Sequence, residues 1–217
     1  MIAKRGFDVA VAAIGLVLAS LPMLLAAVLT KATSRGPVFY RQTRVGLHGR
    51  PFTLYKFRSM AVRGGEGPSV TAEGDNRITP IGSVLRRWKI DELPQLWSVL
   101  IGDMSIIGPR PEVERFVRRY TPEQRRILDQ RPGLASMAQL VYPHESELLR
   151  GLRDPELAYA AELLPRKIAV DLEYERRRTL FSDFVLLAEI GLMVLGRRSR
   201  ADTSFRLDQP PAGHEKR

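Results

Sequence analysis

Residues 9–30 read VAVAAIGLVLASLPMLLAAVLT, 22 residues without a charge. As a helix rising about 1.5 Å per residue, this stretch reaches roughly 33 Å, against a bilayer hydrocarbon core of about 30 Å. Length alone predicts a transmembrane span, but two features oppose a simple one. Pro22 sits near the middle, where it removes a backbone hydrogen bond and clashes with the preceding turn. Ser20 is placed to offer its hydroxyl to a freed carbonyl, so Ser20 and Pro22 mark a predicted kink. Both flanks are also basic: Lys4 and Arg5 before the stretch, and Lys31, Arg35, Arg41 and Arg44 after it. Basic residues favour the cytoplasmic side. A helix that enters, bends at Pro22 and returns keeps both flanks there, and re-entry is the favoured reading. A kinked single-pass anchor is the second. A secretory signal fits poorly, because the run is long and no clear Ala-x-Ala cleavage site follows.

The whole chain has 217 residues, 44% hydrophobic and 27% charged, which suits one packed domain with appendages. It has no Cys and three scattered His, which excludes disulfides and Cys-based metal sites and disfavours a His-rich centre. Any metal is then left to carboxylates, which points to Mg²⁺ or Mn²⁺. Lys and Arg number 34 against 24 Asp and Glu, a net charge of +10. That surplus suits polyanions: nucleic acid, an anionic membrane face or phosphorylated substrates.

Beyond the apolar run, residues 38–60 alternate aromatic or β-branched with polar residues around a turn at 46–51, which predicts a hairpin or two short extended segments. Residues 61–80 are Gly-rich and polar, a loop. In residues 81–105, Leu93, Leu96, Trp97 and Leu100 share one helical face, with Asp91 expected at the N-cap and Pro94 in the first turn. Asp91 and Glu92 are adjacent acids suited to a divalent cation, or to the ordinary acidic first turn of a helix. In residues 108–112, GPRPE stiffens the backbone around Arg110, whose planar fork matches phosphate oxygens. Residues 112–130 read as a charged helix, and 153–178 as one or two polar helices including Asp171 and Tyr174. Residues 184–195 are too short to span and predict a core or interfacial helix, followed by a basic tail.

The order of these motifs carries more than any one of them. Lys4-Arg5 with Asp8 precedes the Pro-broken apolar run. Gly36-Pro37-Val38-Phe39 and Gln42-x-Arg44-x-Gly46 lead to Lys56-Phe57-Arg58-Ser59-Met60. Arg86 precedes Asp91-Glu92-Leu93-Pro94-Gln95-Leu96, and Gly102-Asp103-Met104-Ser105 precedes Gly108-Pro109-Arg110-Pro111-Glu112. Arg131-Pro132-Gly133 and then Asp171 with Tyr174 complete the series. From about residue 3 to residue 197 the chain resembles the bacterial sugar transferase family, the monotopic polyprenol-phosphate phosphoglycosyl transferases, in the small form that is only the catalytic core.

The resemblance implies a mostly helical α+β protein in three parts. Residues 1–34 form a re-entrant membrane helix broken at Pro22, residues 35–197 a cytoplasmic transferase domain, and residues 198–217 a disordered basic tail. It implies transfer of a sugar-1-phosphate from a nucleoside diphosphate sugar, usually a UDP-sugar, to polyprenol (undecaprenyl) phosphate at the cytoplasmic face of the bacterial inner membrane. It also implies Mg²⁺ as cofactor, with Asp91 as nucleophile and Glu92 as its metal-binding partner. Lys56, Arg86, Arg110 and Arg131 become phosphate clamps, and Asp171 a further ligand or an orienter of arginine. Membrane lipid is an expected partner, nucleic acid is not, and self-association is left open. After Arg-Pro-Gly the family often has Ile-Thr-Gly-Trp-Ala-Gln, where this chain has Leu134-Ala135-Ser136-Met137-Ala138-Gln139. The stretch from Val141 to Glu147 departs as well. An inactive membrane scaffold and a basic binding module are the rival readings.

Overall fold

The computed structural model describes residues 2–61 and 75–196. Most of the predicted 61–80 loop and the predicted tail therefore lie outside the described residues. The fold is mostly helical with a minor strand content, as expected.

Helix α1 (Ile2–Thr33) carries the apolar run. It is the one helix among the described residues long and apolar enough to cross a membrane. Val17, Leu18, Leu21, Leu24, Leu25 and Val28 are exposed along it. The predicted break at Pro22 is not seen: residues on both sides are helical in one uninterrupted element. Pro22 cannot donate to the Leu18 carbonyl. Ser20 does not replace that bond, because its hydroxyl donates to Val17 O at 2.8 Å.

The base of α1 is built into the body. Lys4 Nζ lies 2.6 Å from Asp8 Oδ1 and 2.9 Å from Asp183 Oδ2. Asp8 accepts from Ser105 Oγ at 2.9 Å and from Ile106 N at 3.1 Å. Arg5 donates to the carbonyls of Val99 and Leu100, both at 2.6 Å. Asp8 and Asp183 are buried, so these partners are what makes their charge tolerable. At the other end, Arg58 donates to Ser34 O and Ser34 Oγ, each at 2.9 Å, and to Arg35 O. A guanidinium there suits the orphan carbonyls of a helix C-terminus.

Strands β1 (Phe39–Val45) and β2 (Pro51–Phe57) form the predicted antiparallel hairpin, with Phe39 opposite Phe57 and Val45 opposite Pro51. Helix α2 (Pro80–Arg87) starts at Thr79, whose hydroxyl accepts from Gly82 N at 3.0 Å. Gly82 packs so tightly that a Cβ would lie 1.9 Å from Ser59 O. A 3₁₀ turn (Ile90–Glu92) then leads into α3 (Gln95–Ile101). The N-cap expectation for Asp91 fails here, since Pro94 occupies that position and the turn starts the helical path earlier. Leu93, Leu96 and Leu100 pack into a core with Val99, Met104 and Ile106. Trp97, expected on that face, is 56% exposed at its rim.

Strand β3 (Ser105–Ile107) pairs in parallel with β4 (Gly133–Ala135). The connection was expected as one charged helix. It is instead α4 (Glu114–Val117), α5 (Pro122–Arg125) and a 3₁₀ turn (Arg126–Asp129). Thr121 and Gln124 form a capping box and Pro122 starts the next turn, which divides the segment. Helices α6 (Met137–Val141), α7 (Glu145–Leu148) and α8 (Pro155–Ala158) are short. A π turn (Tyr159–Leu163) joins α8 to α9 (Leu164–Arg177), and α10 (Leu180–Val194) follows. A second core gathers Phe116, Val117, Tyr120, Leu149, Tyr159 and Leu163.

Candidate active site

Two backbone loops meet behind the site. Gly108 N donates to Ala135 O at 3.0 Å, and Gly133 N donates to Pro109 O at 2.8 Å. A Cβ on Gly108 would lie 2.4 Å from Arg131 O, and one on Gly133 would lie 2.2 Å from Gly108 N. Only glycine allows this approach, and it sets the loop bearing Arg110 beside the one bearing Arg131. Arg44 braces the first loop by donating to Pro111 O at 3.0 Å and pairing with Glu112 at 3.5 Å.

The two acids expected at position 91–92 have different surroundings. Glu92 is pinned: Lys56 Nζ lies 2.7 Å and Arg110 Nη2 2.5 Å from its Oε1, while among the described residues Oε2 has only Arg110 Nη1 at 3.5 Å. Burial opposes its ionisation. The Arg110 and Lys56 charges outweigh that and hold the carboxyl well below the usual range. Burial likewise pushes the Lys56 ammonium down, against the raising effect of Glu92. Glu92 in turn raises the Arg110 guanidinium.

Asp91 is buried yet takes no hydrogen bond or ion pair from any described residue. Burial, and then the neighbouring Glu92 charge, push its carboxyl above the ordinary aspartate value; Lys56, Lys89 and Arg86 partly oppose this. Such a carboxylate is a stronger base than a free aspartate and is unencumbered, which is what a nucleophile needs.

The other expected residues divide. Lys56 and Arg110 join the acid pair, but as partners of Glu92 rather than as free cations. Arg86, on α2, makes no hydrogen bond or ion pair among the described residues, and its charge reaches Asp91. Arg131 is tied to the Arg110 loop through its backbone, and its Nε is buried with no hydrogen-bond partner. Asp171 accepts from Ala138 N at 2.8 Å, at the start of α6. It holds a backbone turn and is hydrogen-bonded to no arginine among the described residues. Burial pushes its carboxyl up to about 7. It shares a cavity lining with Arg110, Glu112 and Lys167. Ser20 and Pro22 are exposed on α1.

Sequence reasoning missed a buried chain of polar groups beside Arg110. Tyr159 donates to Glu112 Oε1 at 2.5 Å, and Lys167 Nζ reaches Tyr159 at 3.3 Å and Glu145 Oε2 at 2.5 Å. No local spacing signals these contacts, which join segments far apart in the chain. It also missed Lys89, whose signal was available: a base two residues before an acid pair.

Among the described residues, no group of three or more His, Asp or Glu gathers as a ready metal cage. That is compatible with Mg²⁺, which takes one or two carboxylates and completes its shell with water and substrate phosphate. The unpartnered Asp91 carboxylate and the lightly engaged Glu92 Oε2 are the oxygens available.

A small α+β body seated on one long apolar helix, with an acid pair set among cations, defines a helix-borne catalytic core. The chain belongs to the bacterial sugar transferase family, whose sequence model matches residues 1–197. It is 45% identical to the UDP-N-acetylgalactosamine-undecaprenyl-phosphate N-acetylgalactosaminephosphotransferase of Aeromonas hydrophila, over 66% of this chain and 35% of that protein. It is 40% identical to the UDP-glucose:undecaprenyl-phosphate glucose-1-phosphate transferase of Caulobacter vibrioides, over 85% of this chain and 66% of that one. It is 35% identical to the exopolysaccharide production protein ExoY of Rhizobium meliloti, over 85% and 82%. The chain thus spans about a third to two thirds of the length of the first two relatives.

Proposed function

We propose that this protein transfers a sugar-1-phosphate from a UDP-sugar to undecaprenyl phosphate through a covalent aspartyl phosphosugar, as an early step in assembling a bacterial surface glycan. The observation that carries this reading is the contrast within the acid pair: a buried, unpartnered Asp91 beside a Glu92 held by Lys56 and Arg110. The relatives' names, which pair a UDP-sugar with undecaprenyl phosphate, support the substrate classes.

In the first step an Asp91 carboxylate oxygen attacks the phosphorus that bears the sugar. A P–O bond forms, the P–O bond to UMP breaks, and UMP leaves with the electron pair. In the second, a phosphate oxygen of undecaprenyl phosphate attacks the same phosphorus and Asp91 departs as carboxylate. Arg86 and Arg131, free of described protein partners, are available to the diphosphate, and Arg110 and Lys56 keep Glu92 ionised and oriented. Bound Mg²⁺, held by Asp91 and Glu92 Oε2, would neutralise charge on the diphosphate.

The reading places α1 in the cytoplasmic leaflet of the inner membrane as a continuous helix that curves at Pro22 without breaking, where the missing N–H weakens the ladder, so that both basic flanks stay inside. Cysteine labelling at residues 3 and 35 is expected to find both on the cytoplasmic side; labelling of residue 3 from outside would leave a single-pass anchor instead. For the chemistry, incubation with a panel of UDP-sugars, Mg²⁺ and undecaprenyl phosphate is expected to release UMP. Mass spectrometry of the donor-treated protein is expected to find the phosphosugar on Asp91. Turnover of Asp91→Asn at the native rate would refute the mechanism.

A further inference from the structure

Lys89 has no assigned role, and its backbone is unusual. It sits at φ 56°, ψ 18°, in the left-handed region, just past the end of α2. Helices commonly end on such a residue, but it is usually glycine, because a Cβ is strained there. Here the residue is a lysine whose side chain is exposed and makes no hydrogen bond or ion pair among the described residues. No side-chain pairing among the described residues offsets the strain. A cation at a helix C-terminus gains from the helix dipole, but Arg86 and Arg87 in the last turn of α2 already supply two. Unexplained strain next to an acid pair is a reason to look for function.

Its surroundings indicate a ligand. The Lys89 N–H donates to Arg86 O at 3.2 Å, and the Lys89 carbonyl accepts from Glu92 N at 3.2 Å, so the residue is the hinge between α2 and the acidic turn. Its charge acts on both Asp91 and Glu92. Unlike Lys56 and Arg110, its ammonium is not committed to Glu92. The location also selects among anions. Helix α2 packs through Ile81 and Leu85 against Met23, Ala26 and Ala27 of the apolar helix. Val84 on α2 and Trp88 at its C-cap, one turn apart, are about half exposed, and Trp88 adjoins Lys89. An exposed Trp and Lys beside a membrane helix belong at headgroup depth.

Resting on the transfer reading above, we infer that Lys89 binds the phosphate of the lipid acceptor and delivers it to the phosphosugar on Asp91. The donor's diphosphate has the same chemistry, and kinetics separate the two.

The test uses the full chain in lipid nanodiscs at mildly alkaline pH, so that any change in Asp91 ionisation does not enter. Lys89→Gly relieves the left-handed backbone and so is expected to fold with an unchanged or higher Tm. Losing a charge-assisted contact to phosphate is expected to raise the KM for undecaprenyl phosphate about tenfold or more. The donor KM and single-turnover UMP release without acceptor should stay within about twofold, a margin worth less than one weak hydrogen bond. Lys89→Arg should recover most of the acceptor affinity. An unchanged acceptor KM in Lys89→Gly would overturn the inference and leave only a strained surface lysine. A raised donor KM with an unchanged acceptor KM would overturn it in favour of the donor diphosphate. Absence of UMP release by the wild-type protein would instead sink the transfer reading and Lys89's role with it.

Discussion

Asp91→Asn and Glu92→Gln make the same chemical change at adjacent residues, and the structure predicts opposite effects on stability. Glu92 is the shared anion of Lys56 and Arg110. Removing its charge leaves two inward-facing cations without a partner, and breaking a buried pair costs about 3–5 kcal/mol. Lys56 and Arg110 keep 21% and 27% of their side-chain surface exposed, so water recovers part of that loss. About 2–4 kcal/mol is the working figure, a Tm lowered by about 4–16 °C for a chain of this size. Asp91, by contrast, has no described partner to lose, and burial already penalises its charge. Its asparagine variant should be as stable as the wild type or slightly more so. Thermal unfolding followed by circular dichroism in one detergent, at several pH values, measures both. Because the Glu92 carboxyl is depressed in the fold, its contribution is present above the unfolded value of about 4.3 and lost as pH falls below it. The Glu92→Gln deficit should therefore be constant near neutrality and shrink in acid. A Glu92→Gln protein within about 1 kcal/mol of wild type at pH 7, or an Asp91→Asn protein losing more than that, would refute the division of labour.

Asp171 has the reverse pH signature. Its folded value, about 7, lies above its unfolded one, so its favourable contribution is complete below about pH 4 and is lost as pH rises through 7. Asp171→Asn, which can still accept from Ala138 N, should remove that decline and stabilise the protein by up to about 4 kcal/mol at alkaline pH, read by urea titration across the range. Gly108→Ala should cost more than about 3 kcal/mol or abolish folding, because its Cβ would meet the Arg131 carbonyl at 2.4 Å and both sides are backbone; expression and Tm report it. Asp183→Ala removes one of two carboxylates from each of Lys4 and Arg178, which keep Asp8 and Glu175, so it should cost about 1–3 kcal/mol and lower Tm by about 2–12 °C in the same unfolding assay.

Local signals were the most legible. The hairpin follows from alternation around Gly46–Pro51, and the apolar helix from its uncharged run. The acid pair and its basic neighbours could be named from motif order, and Lys56, Glu92 and Arg110 do meet. What could not be read was the direction of individual side chains. Asp91 looked like an N-cap because it precedes an amphipathic run; the left-handed Lys89 and a 3₁₀ turn start the helical path earlier, and no spacing rule shows that. Trp97 shared a helical phase with three core leucines, but periodicity describes a face and not where its edge falls. The Lys167–Glu145 and Tyr159–Glu112 contacts depend on how distant segments dock, which is invisible to a local window.

The root of α1 has a consequence for biogenesis. Lys4 and Asp8 close their mutual pair within one helical turn, but their remaining partners are Ser105, Ile106 and Asp183. On the membrane reading proposed above, a nascent chain would meet the lipid with its apolar segment long before the last of these leaves the ribosome. Engagement with lipid would therefore precede docking, and the last of these ties between α1 and the body would form when α10 arrives. A chain ended ahead of residue 183 would then associate with lipid while lacking the Lys4–Asp183 tie, which makes such truncations a way to separate targeting from maturation.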